Sequence, residues 1–188
     1  MKTLEAQMSF YAAYHQDGRN KATHFVGVPL IMLAILIPLT WPRVEVAGFG
    51  LTAAMLLAVA VLAYYFILDV PLALAMVVVI GLLIWAAEAI AALGAGPGWT
   101  WFGVLFVGGW ALQLLGHVFE GRKPALADNL FQIFVAPIFL AAEVFFALGL
   151  KRDLRDRVAQ LSRAQSARSS MSRPRTSSES GASGSRSR

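Results

Sequence analysis

Cysteine is absent from this chain of 188 residues. Disulfides, thiolate nucleophiles, zinc–thiolate sites and iron–sulfur clusters are excluded together. Histidine occurs three times, at His15, His24 and His117, and Asp and Glu together number 11. Any protein-held metal must therefore use His and carboxylates. Charge is also scarce, at 14% against 57% hydrophobic residues, which is too little to clothe a soluble domain and reads as a multi-span membrane protein. The N-terminal stretch "MKTLEAQMSFYAAYHQDGRNKATHF" has no short apolar core followed by a small-residue cleavage site, so no removable signal peptide is expected and the first span does the targeting. The formal net charge of +5 comes mostly from Arg and Lys after residue 150. It describes the tail and not the body.

What the chain does have is apolar length. Five stretches, at roughly 25–41, 47–67, 71–93, 99–117 and 130–150, approach the ~20 residues that a helix needs to cross a bilayer. Backbone groups in lipid have no outside partners and the alternation of a membrane barrel is missing, so the expected fold class is all-α: a multi-pass transmembrane helix bundle. Four spans are expected, plus a fifth segment that is kinked, re-entrant or spanning, because Pro137 interrupts it. Trp41, Trp99 and Trp101 fall at segment ends, where indole rings favour the interface. Residues 1–21, with Leu4, Met8, Tyr11 and Tyr14/His15 at helical spacing, form an expected interfacial segment. Residues 22–150 form the bundle and 151–188 a basic, mostly disordered tail, in which "KRDLRDRVAQLSRAQ" suits a short surface helix and the Ser/Arg/Gly sequence beyond Ser162 suits disorder. That tail is expected to meet anionic lipid headgroups, and no nucleic-acid partner is expected.

Lys and Arg beside span ends favour the cytoplasm. Lys2, Arg19 and Lys21 place the leader there, and four crossings return Arg122 and Lys123 to the same side. His15, His24 and His117 then all come to the cytoplasmic interface. They are either three unrelated headgroup-region histidines or one cluster. His117 and Glu120, at i and i+3, share a helix face, and with two further His in a carboxylate-poor body they suit an octahedral Fe(II)-type site with open positions. Alternatively, Glu120 forms a surface ion pair with Arg122 or Lys123. Glu88 lies within a span, where it is either functional or paired across the bundle. Glu143 is a further candidate, as ligand or catalytic base. Gly27, Pro29 and Gly116 are expected to serve close packing.

The blocks "YHQDGRNKATHFVGVPL" and "QLLGHVFEGRKPALADNLFQIFVAPIFLAAEVF" resemble the 2-hydroxy fatty acid dioxygenases, a family of small integral membrane proteins, over about residues 7–150. The resemblance implies Fe(2+) as cofactor, a 2-hydroxy fatty acid and O2 as partners, and release of CO2 with a fatty acid one carbon shorter. It implies His15, His24 and His117 as ligands, with Glu120 as a further ligand or as an acceptor that orients a histidine. Asn20 would hold His15 or His24 by a hydrogen bond, and Arg122 and Lys123 would meet the substrate carboxylate. The location expected is an inner membrane in a bacterium or the endoplasmic reticulum in a eukaryote, with the site at the cytoplasmic face. Two other classes suit the same residues: a non-catalytic scaffold or small transporter with a His cluster, and a zinc-dependent lipid hydrolase.

Overall fold

The computed structural model describes residues 3–121 and 132–171. Its helices are α1 (Leu4–Ala13), α2 (Gly18–Leu39), α3 (Ala53–Leu68), α4 (Val70–Ala91), α5 (Ala95–Glu120), α6 (Gln132–Ala147) and α7 (Arg152–Met171). The expected all-α bundle is present, with one addition. Residues 43–52, read from sequence as a plain connection running into a span, pair instead as an antiparallel hairpin of β1 (Arg43–Val46) and β2 (Phe49–Thr52). Ala47 and Gly48 both take positive φ, 52° and 80°, the requirement of a two-residue turn that matches strand twist. The second apolar stretch therefore loses its first residues to the hairpin, and α3 is 16 residues long.

Helix starts follow capping chemistry. The hydroxyl of Thr52 accepts from the Met55 N–H at 3.2 Å, the carboxylate of Asp17 from the Arg19 N–H at 2.8 Å, and that of Asp69 from the Leu72 N–H at 3.0 Å, each satisfying a donor that the first turn leaves free. Asp69 is also the single residue between α3 and α4, which forces those helices into a tight antiparallel pair. The α5 helix ends at Gly121, whose φ of 66° supplies a left-handed C-terminal stop.

Three helices, α2, α4 and α5, are long and apolar enough to cross a membrane, while α3 and α6 are shorter apolar helices. The closest crossing is that of α2 with α5. A Cβ added at Gly27 would lie 2.9 Å from the Gly109 carbonyl oxygen, and one at Gly109 would lie 3.0 Å from that of Gly27. One at Gly116 would overlap Thr23 Oγ1 and Asn20 Oδ1. Small residues let the two backbones touch, as expected for Gly27 and Gly116. The seam matters because α2 carries His24 and α5 carries His117.

The leader forms a helix, but its apolar side does not face lipid. Leu4, Met8 and Tyr11 are buried in one cluster with Val135, Ile138 and Phe139 of α6 and Leu154 and Val158 of α7. The α7 helix runs on through Ser162, where composition alone suggests the onset of disorder, to Met171. An ion pair from Lys151 to Asp69 at 2.5 Å binds this layer to the bundle, and one from Arg157 to Glu5 at 3.7 Å joins α7 to α1 within it. Tyr64 of α3 donates its hydroxyl to Gln7 of α1, and Tyr65 donates to the Phe134 carbonyl at 2.7 Å. The α1–α2 turn, the α3–α4 turn, the end of α5 and the exit from α6 thus all meet α1 or α7 or the residues flanking them. Glu88 is paired, its carboxylate accepting from Arg43 of the hairpin at 2.9 Å.

Candidate metal centre

His15, His24 and His117 come from three different elements and meet. Each offers one nitrogen to a set whose members all lie within 4.8 Å of one another, and the three residues are 2%, 4% and 7% exposed. His15 sits in the turn after α1, His24 two turns into α2, and His117 in the last turn of α5. The short α1–α2 turn folds the first two together, and the glycine seam brings in the third.

Tautomers decide what the cluster can do. His15 Nδ1 lies 2.8 Å from the Tyr11 carbonyl oxygen and His24 Nδ1 lies 2.9 Å from that of Asn20. A carbonyl oxygen only accepts, so both Nδ1 atoms carry protons, and both Nε2 atoms of the neutral rings are left with lone pairs. Those Nε2 atoms face each other at 3.1 Å. Two lone pairs at that distance repel unless a cation lies beside both. Two nitrogens each roughly 2.1 Å from one divalent ion and at right angles to each other are separated by about 3 Å. The third ring leaves Nδ1 buried with no hydrogen-bond partner among the described residues. The donor set therefore fits a metal ion held by imidazoles, with carbonyl acceptors fixing two of the ring orientations.

Burial, reinforced by the neighbouring His24, pushes His15 down to about 3, so this imidazole is neutral at physiological pH. The Tyr11 ring stacks on His15 at 3.9 Å between centroids and 6° between planes, and Phe139 packs on Tyr11 at 4.6 Å. The Tyr11 ring, itself backed by Phe139, thus covers one face of the first histidine.

Glu120 takes a different position from the three rings. Its carboxylate accepts from the backbone N–H of Gln16 at 3.0 Å and Asp17 at 2.8 Å and from Asn20 Nδ2 at 3.1 Å. It ties the end of α5 to the α1–α2 turn, and so fixes His117 relative to His15 and His24. Asn20 does hold a histidine, but through its backbone carbonyl; its side chain bridges Glu120 and the Tyr14 carbonyl. Glu143 is ion-paired with Lys21 at 2.9 Å, and Lys21 also lies over the Phe139 ring. Arg122 and Lys123 lie outside the described residues.

From the histidines a cleft runs between α2, α5 and α6, lined by Val28, Ile31, Met32 and Ile35, by Trp110 and Leu114, and by Ile133, Ala136 and Pro137. Its wall on α2 extends from His24 to Ile35, about 16 Å at the helical rise. Two contributors escaped the sequence reading. Gln113 lines the cleft, and its place one turn before His117 was its only signal. Tyr11 stands four residues before His15, the spacing by which its carbonyl reaches that ring.

A buried three-histidine cluster opening onto an apolar cleft, on helices suited to a bilayer, defines a membrane-type protein with a potential metal centre beside a site for an alkyl chain. The chain belongs to the family described as 2-hydroxy-palmitic acid dioxygenase Mpo1-like, whose model matches residues 1–148. It is 35% identical over 151 residues to the 2-hydroxy-palmitic acid dioxygenase MPO1 of Saccharomyces cerevisiae, covering 78% of this chain and 82% of the yeast protein. No solved structure matches the chain.

Proposed function

We propose that this protein is an Fe(II)-dependent dioxygenase of fatty acid α-oxidation. A 2-hydroxy fatty acid and O2 give the fatty acid one carbon shorter, CO2 and water; the C1–C2 bond breaks, C2 is oxidised to the new carboxyl carbon and dioxygen is reduced. The observation that carries this reading is the apposition of the His15 and His24 lone pairs at 3.1 Å beside His117, at the head of an apolar cleft. Family membership supplies the reaction class.

Iron(II) bound by the three histidines would supply the redox chemistry with O2 and open positions for a chelating acid. The residues of the chain do the rest. Three neutral imidazoles leave a divalent charge uncompensated in a buried site, which favours an anionic head group over a neutral lipid. The apolar walls take the alkyl chain and exclude water from the head. Glu120 orients the ligand-bearing elements, in the manner of partners whose loss costs roughly 10 to 100-fold in metal affinity. Glu143 holds Lys21 at the polar end of α2. Arg122 and Lys123, two and three residues beyond Glu120 in the sequence, are the cations proposed to meet the substrate carboxylate.

The same reading includes the membrane arrangement. With α2, α3, α4 and α5 as four crossings, the α1 and α7 layer and the histidines share one face. Glu120 and Lys151 both join residues beside that layer, which supports a fifth segment that re-enters without crossing. The Lys/Arg distribution supports the cytoplasm for that face. Incubating membranes that contain the protein with labelled 2-hydroxypalmitate in air tests the activity. A labelled C15 acid with matching O2 uptake is expected; hydrolysis without O2 uptake, or no turnover, would refute it.

A further inference from the structure

Gln113 is the polar cleft residue that the metal centre leaves unused. It lies on α5 one turn before His117, is 8% exposed, and its Oε1 is enclosed with no hydrogen-bond partner among the described residues. Buried acceptors are rarely left so, because an unmade hydrogen bond costs the group its hydration. The neighbouring helix is shaped around the amide: Gly27 presents no side chain there, and a Cβ at that position would sit 3.4 Å from Gln113 Cδ. Beyond the histidines, the Tyr11 hydroxyl and the Trp110 indole, the remaining lining is aliphatic.

We infer that Gln113 reads the 2-hydroxyl of the substrate, accepting its O–H at Oε1. This rests on the 2-hydroxy acid reading above. An ionised 2-hydroxy acid has one proton to donate, on the hydroxyl; its carboxylate only accepts. An acceptor one turn inward from His117, on the same helix face, is therefore satisfied by a 2-hydroxy acid. A plain fatty acid leaves it unpaired while the alkyl chain excludes water. A site built to hydrogen-bond a substrate hydroxyl rejects the analogue that lacks it far more strongly than an apolar pocket can. Gln113 thereby adds a specificity element distinct from chelation.

The test is equilibrium binding of 2-hydroxypalmitate and palmitate to the iron-loaded protein without oxygen, by displacement of a fluorescent fatty acid, in wild type, Gln113→Leu and Gln113→Met. Wild type should prefer the hydroxy acid by about 100-fold or more. Both variants should lose at least about tenfold of that preference, through weaker binding of the hydroxy acid and tighter binding of palmitate, which no longer leaves an acceptor unpaired, with iron content unchanged. An unchanged preference in Gln113→Met, or loss of iron from both variants, would overturn the assignment. So would a wild type that turns over 2-hydroxypalmitate but binds both acids equally. If wild type bound neither acid, the 2-hydroxy acid reading itself would fail.

Discussion

His15 Nε2 stands 3.1 Å from His24 Nε2, although the proton of each ring is committed to a carbonyl on its far side. Two neutral imidazoles do not choose that approach for themselves. The backbone imposes it through the α1–α2 turn, and a bound cation would relieve it.

The first prediction concerns removal of the metal. A ligand that binds the folded state at 1,000 times its dissociation constant contributes about 4 kcal/mol, which for a chain of this size is a shift on the order of 10 °C in midpoint. Chelator-treated protein in detergent should melt lower by that order, and added Fe(II) under anaerobic conditions should restore the midpoint. A midpoint independent of metal would mean that the histidine cluster is stable alone.

Glu120→Gln separates an orienting carboxylate from a ligand. The variant keeps one acceptor oxygen for the Gln16 and Asp17 N–H groups but loses the charge and the second oxygen. Metal affinity, measured by competition with a chromophoric chelator, should fall by roughly 10 to 100-fold. A loss as complete as that of a histidine variant would make Glu120 a direct ligand.

Much of this was legible in the sequence. Four of the five apolar stretches became helices with bounds close to those expected, because a bilayer leaves the backbone little alternative. The histidines were placed on one level by counting crossings. The hairpin was hidden because "RVEVAGFGLT" continues an apolar run and its turn depends on Ala47 at positive φ, a residue seldom found there. The destination of Glu120 was also hidden: the i, i+3 spacing with His117 says that the two share a face, but the Gln16 and Asp17 amides that take the carboxylate lie more than 100 residues away in the chain. Gln113 was passed over because a single amide in an apolar helix has no pattern of its own.

Gly116→Ala tests the seam that brings His117 to His24. The added methyl meets Thr23 and Asn20 head-on, so α5 must withdraw from α2 at a cost of about 1 to 3 kcal/mol. Iron retention should drop although no ligand is altered, whereas Gly103→Ala, where an added Cβ meets nothing within 4 Å, should retain it. Equal retention by both variants would show that the seam does not set the geometry of the site.

The absence of cysteine makes the membrane arrangement directly measurable. Single cysteines at Gln16, Asp156 and Ala47 should label with a membrane-impermeant maleimide from opposite sides: the first two from the cytoplasmic side and Ala47, in the hairpin turn, from the other. Labelling of Asp156→Cys from the side of Ala47→Cys would mean that α6 crosses fully.

The most direct test is a metal count on protein purified without oxygen. One iron per chain is expected in wild type, with almost none in His117→Ala, which should still insert and extract as wild type because insertion depends on the apolar spans. Full iron in His117→Ala, or zinc in place of iron in active wild type, would contradict the three-histidine Fe(II) centre.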